Sequence, residues 1–191
     1  MADAVDNHEL VAQFMPEQDD GDTFIYTELL DRSKRTQGNN RVRMLKTFHH
    51  GSREQFLKTW PVIKELCRAT NVRAYTRLSP RSYAKVGRIY ASLVVEAALE
   101  QRFQGMRYLY SRACGRVVPS EKRWLFDFDD DAGPAYAALL APAGLHLATI
   151  PSRSGCHVIT KPFDLRLFPQ PAGVSLHKDN PTNLFIPDGA A

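Results

Sequence analysis

The stretch Trp124–Asp129, W-L-F-D-F-D, has the period-two alternation of a β-strand, in which successive side chains point to opposite faces. Trp124, Phe126 and Phe128 then share one face, and Leu125, Asp127 and Asp129 share the other. A strand that buries three aromatic rings on one side must carry its carboxylates on the opposite side. Any fold for this chain has to give that second face either water or a counter-charge.

The rest of the chain reads as strands and helices that alternate twice, over 24–103 and again over 124–187, which is an α+β pattern. Residues 24–33 and 42–48 read as strands with a polar Gly/Asn-rich tip at 33–41 between them. Ser52 is placed to cap a helix over 53–69, with apolar spacing through Phe56, Trp60, Ile63 and Leu66 and with Pro61 predicting a kink or a late start. A strand over 72–78 puts Arg73, Tyr75 and Arg77 on one face, and Ser79-Pro80 reads as the start of a long helix to about residue 103. After the 124–129 strand come a short helix at 134–144 stopped by Gly144, three short strand candidates (LATIPS, HVITKPF, VSLHKD) and a closing segment, TNLFIP.

With 191 residues and 43% hydrophobic content, the chain fits one packed domain over 23–191, with subdomains at about 23–120 and 121–191. Of its 21 acids, seven lie in residues 1–22, which hold none of the 25 Lys and Arg, so the remainder has 25 basic against 14 acidic residues and a net charge of +11. A body this basic suits a polyanion, and a segment this acidic and poor in core-forming residues is expected to be disordered. There is no apolar run of membrane-spanning length and no basic-then-apolar leader, so no membrane partner is expected. Cys67, Cys114 and Cys156 are widely spaced without a C-x-x-C pair, which points to a reducing cytoplasm.

Two carboxylates two residues apart on one strand face repel unless one takes a proton or a cation joins them. Mg²⁺ or Mn²⁺ suits such oxygen ligands when substrate phosphates complete the shell. A solvated acidic turn at Asp129–Asp131 fits the same letters, so the motif alone leaves both readings open. Downstream, I-P-S-R-S-G-C-H-V-I-T-K-P (150–162) is a small, polar loop entering a strand, where backbone N–H groups with Arg153, His157 and Lys161 can face an anion. Asp179 in L-H-K-D-N-P adds a third carboxylate near the end of another strand, and an ordinary Asp-Asn-Pro turn explains it equally well.

The order L-F-D-F-D, then S-G-C-H, then H-K-D resembles the archaeo-eukaryotic primase superfamily, whose motifs run hhhDhD, sxH and hhD, and the likeness covers about residues 123–185. The resemblance implies an N-terminal α/β subdomain packed on a C-terminal module like an RNA-recognition motif. It implies a template-directed nucleotidyltransferase, a DNA primase or primase-polymerase acting in replication of phage or plasmid type. Asp127, Asp129 and Asp179 would then hold two divalent ions, and His157 would bind the nucleoside triphosphate with Ser154 and Arg153 nearby. Charge and strand placement add Arg73, Arg77 and Lys161 for template backbone or phosphates, and the resemblance implies a single-stranded DNA template and a replicative helicase as partners. The zinc module of chain-starting relatives is missing. Two other readings stand beside this one. F-D-F-D-D-D also resembles the D-x-D-x-T/V motif of haloacid-dehalogenase-type phosphatases, with Asp131 in the place of Thr or Val. A non-catalytic single-stranded nucleic-acid-binding protein with a degenerate primase-like fold would use the basic half and tyrosines such as Tyr75, Tyr108 and Tyr110.

Overall fold

Alternation in Thr23–Asp31 (β2) decides the first layer of the molecule. Phe24 and Tyr26 pack under Tyr83–Leu99 (α3) and Leu109–Arg116 (α4), while Ile25 and Leu29 pack under Arg53–Thr70 (α2). The structure is a computed structural model that describes residues 3–31, 43–179 and 181–188; the hairpin tip expected at 33–41 lies outside the described residues. The described residues form an α+β fold of two antiparallel sheets and five α-helices. None of the helices among the described residues is long and apolar enough to cross a membrane.

The first sheet has the order β1-β9-β4-β2-β3, with β1 at Val5–Asp6, β3 at Arg43–His50, β4 at Arg73–Ser82 and β9 at Thr182–Ile186. The Ser52 side chain caps α2 by accepting from the Gln55 N–H at 3.2 Å, and Asn71 ends it in the left-handed conformation at φ 51°. The late start that Pro61 predicted does not occur, because Pro61 sits on the exposed side of α2, away from the buried Phe56, Trp60, Ile63 and Cys67. Nor does a helix begin at Pro80. β4 continues to Ser82, whose hydroxyl caps α3 from the Lys85 N–H. Register shifts between Phe24 and Tyr26, so that Leu78, Ser79 and Pro80 lie opposite Ile25, and a bulge of this kind tolerates a residue without an N–H.

Residues 3–22 are not disordered. β1 pairs with β9, and His8–Ala12 (α1) with the turn after it buries Val11, Ala12, Phe14 and Met15 in the main core. The acidic count concealed four core side chains; Asp6 lies on β1 and Glu9 in α1, and among the later acids Asp20 accepts from the Thr23 N–H and Asp22 from that of Ala84.

The second sheet has the order β6-β7-β5-β8, with β5 at Trp124–Phe128, β6 at His146–Pro151, β7 at Cys156–Thr160 and β8 at Ser175–His177. One face is covered by Gly133–Leu140 (α5) and the irregular segment 161–174, through Phe126, Phe128, Tyr136, Leu140, Val158 and Phe163. On the other face Leu125, Ala148, Ile150 and Ile159 join the core that holds Ile25, Phe56 and Phe185. The boundary expected near residue 121 is therefore crossed: β9 leaves the second half and lies between β1 and β4 of the first sheet.

Candidate functional site

Where the shared core ends, the face of β5 turns from Leu125 to Asp127 and the two sheets part around a cavity of about 360 Å³. β4 contributes Arg73 and Tyr75, β5 and the residue after it contribute Asp127 and Asp129, and β7 contributes His157. The β6–β7 turn adds Arg153 and Ser154, β8 adds His177 and β9 adds Asn183.

Asp127 and His157 are direct partners across the β5–β7 ladder, and His157 Nε2 lies 3.2 Å from Asp127 Oδ1. The other ring nitrogen, Nδ1, is 2.8 Å from the Thr182 hydroxyl, and the Asn183 amide nitrogen is 3.5 Å from Nε2. With both nitrogens engaged and only 7% of its surface exposed, the ring is held in one orientation. Its Nε2–H donates toward the carboxylate when the Thr182 hydroxyl donates to Nδ1.

Gly155 brings the turn against β5. The Ser152 N–H donates to the Gly155 carbonyl at 2.9 Å and the Gly155 N–H to the Ser152 hydroxyl at 3.1 Å. A Cβ on Gly155 would lie 2.1 Å from the Phe128 carbonyl oxygen, so only glycine permits this approach. The approach lets the Ser154 hydroxyl donate to Asp129 Oδ1 at 3.1 Å, while Arg153 donates to the Pro187 carbonyl at 3.2 Å. Burial, then the negative charge of Asp130, Asp127 and Asp131, pushes the neighbouring Cys156 thiol up from its ordinary pKa.

Of the residues singled out in the sequence, Asp127, Asp129, Arg153, Ser154, His157 and Arg73 thus line one cavity. Asp179, Arg77 and Lys161 do not. The Asp179 carboxylate binds the guanidinium of Arg81, whose side chain is 0% exposed and also donates to the carbonyls of Cys114 at 2.9 Å and Ser79 at 3.2 Å. Arg77, half-buried, donates to the Asp179 carbonyl at 2.6 Å and lies 3.5 Å from Glu28, so protein groups already engage it. Lys161 is exposed just past β7. Thr182, Asn183 and Arg81 carried little signal: the first two head an apolar run, and Arg81 sits in S-P-R-S, where a helix start was the simpler reading.

Among the described residues no three His, Cys, Asp or Glu side chains gather as a metal-binding group. Asp127 and Asp129 nevertheless fit a divalent cation that takes one or two carboxylates and completes its shell with phosphate oxygens and water. Beside them Arg73 lines the same cavity, and its buried Nε has no hydrogen-bond partner among the described residues. Comparison with protein-family models, with curated proteins and with solved structures found no match.

Proposed function

We propose that this cavity is the active site of a metal-dependent, template-directed nucleotidyltransferase of the primase or primase-polymerase type. The observation that carries the reading is the charge pattern of one cavity: Asp127 and Asp129 from alternate positions near the end of β5, with Arg73, Arg153 and His157 around them. A polyphosphate bearing divalent cations presents the complementary pattern. The connection order supports the same reading. β5, α5, β6, β7 and β8 arranged as β6-β7-β5-β8 follow the split β-α-β-β-α-β plan of an RNA-recognition-motif-like module, with segment 161–174 in place of the second helix.

Mg²⁺ or Mn²⁺, when bound, supplies activation of the attacking hydroxyl and neutralisation of the leaving pyrophosphate. The chain's own groups do the rest. Asp127 and Asp129 hold the cations, with Ser154 fixing the orientation of Asp129. Arg73 and Arg153, which line the cavity, bind phosphate oxygens. His157, with one ring nitrogen on Thr182 and the other on Asp127, acts by keeping Asp127 in place rather than by binding the triphosphate.

A binding-only role is favoured by one observation, the pairing of Asp179 with Arg81, which leaves the site two carboxylates instead of three. Incorporation of labelled nucleoside triphosphate on a single-stranded template separates the two readings. A catalyst gives products that Asp127→Asn and Asp129→Asn do not, and a binder gives none.

A further inference from the structure

We propose that the outer groove between α3 and α4 is a binding surface for single-stranded nucleic acid. Two depressions lie between these helices. One, of about 280 Å³, is lined by Lys85, Arg88, Ile89, Arg116, Val117 and Val118. The other, of about 180 Å³, includes Glu96, Arg102, Leu109 and Arg112. They lie toward opposite ends of α3 and so follow a line roughly 20 Å long at 1.5 Å per residue.

Five cations line the two depressions against one acid, Glu96, and Asp22 adds a longer-range attraction to Lys85. Glu96 and Glu100 both pair with Arg102, and no ion pair engages Lys85, Arg88, Arg112 or Arg116 among the described residues. Lys85 and Arg88 are three apart on α3, and Arg112 and Arg116 four apart on α4, so each pair is a like-charge neighbour on a helix surface. Such spacing destabilises a helix in isolation, and a line of phosphates removes the repulsion. Val118 in the first depression is 66% exposed, and Phe103, between Arg102 and Gln104 of the second in sequence, is 62% exposed. Cations along a groove with an exposed aromatic ring at its end suit a backbone with unstacked bases better than a duplex.

This surface extends the nucleotide-transfer reading by giving the partner strand a place, but it rests on different residues. The test uses the full chain in metal-free buffer and a labelled 20-nucleotide oligo-dT, with anisotropy read at several salt concentrations. Neutralising four phosphates gives a slope of about −3 in log K against log salt, a loss of about 50-fold between 50 and 200 mM. Lys85→Gln with Arg88→Gln, or Arg112→Gln with Arg116→Gln, should each halve that slope, and the fourfold variant should nearly abolish it. Phe103→Ala should cost about tenfold in affinity with the slope unchanged. A fourfold variant that keeps the wild-type slope would overturn the proposal. So would polyglutamate displacing the oligonucleotide as well as unlabelled oligo-dT does, since the groove would then be a site for acidic polypeptide. Because no divalent cation is present, a failed incorporation assay leaves this result standing, and a failed salt slope leaves the cleft reading standing.

Discussion

Asp179 and Asp127 are two carboxylates with opposite duties, and their effects on stability should separate them. Arg81 is buried in full and Asp179 supplies its counter-charge, so Asp179→Asn leaves an uncompensated charge in the interior. Breaking a buried pair costs about 3–5 kcal/mol; with Asp179 a third exposed, ~2–3 kcal/mol is expected, or roughly 5–10 °C in Tm for a chain of this length. Asp127→Asn relieves repulsion with Asp129 and should leave Tm unchanged or slightly raised without metal. Thermal unfolding of both variants checks this, and an Asp179→Asn protein as stable as wild type would return Asp179 to the list of metal ligands. His50 gives a second residue-scale expectation. It is fully buried 3.2 Å from the Thr27 hydroxyl, and burial, with His49 adding to it, lowers its pKa to about 4. Its folded value lies below the ordinary 6.5, so its neutral form is the one the fold accepts. Stability is complete above pH 6.5 and falls as pH drops toward 4, by as much as ~3 kcal/mol. Urea unfolding at pH 7.5 and 4.5 should show this loss in wild type and much less of it in His50→Gln; an equal loss in both would remove His50 as its cause. At this scale Asp127, Asp129 and His157 were legible, because period two fixes the face of a strand residue. Asp179 was not, because the partner that claims it lies 98 positions away.

Among the elements, the first 22 residues changed most between sequence and structure. Their seven acids suggested a loose tail, yet Val11, Phe14 and Met15 already have the spacing of a short apolar face. The Asn7 side chain bonds the Pro151 carbonyl at 2.9 Å and the Asn183 carbonyl at 3.0 Å, tying the second sheet to the first beside the cavity. Deleting residues 1–22 exposes the core that Val11, Ala12, Phe14 and Met15 cover and should cost roughly 5 kcal/mol or more, comparable to the whole stability of a domain. Circular dichroism of the 23–191 chain should show a weakened or absent cooperative melt. A cooperative melt at the wild-type Tm would mean that the segment is dispensable for folding. Helices α2 and α5 and the short strands were legible from local period and turn residues. The β9 crossover was not, since pairing between Thr182–Ile186 and Ala74–Thr76 is set by contacts across the whole chain.

At the scale of the molecule, two sheets share a core and the site occupies the place where that core gives way to charge. Leu125 and Ile159 close the apolar side, and Asp127 and His157, two residues on along β5 and two back along β7, open the polar side. One strand alternation therefore builds both the interior and the cavity, which is why L-F-D-F-D revealed so much of each. The +11 charge of residues 23–191 finds its counterpart in two basic features, the cavity arginines and the α3–α4 groove. The proposed role of Asp127 and Asp129 is to act together in nucleotide transfer. Its most direct measurement is incorporation of labelled nucleoside triphosphates on single-stranded DNA, with and without a primer, in Mg²⁺ or Mn²⁺. Wild type should give cation-dependent products and Asp127→Asn or Asp129→Asn none, with both variants still folded. Products of undiminished yield from the double variant would contradict it.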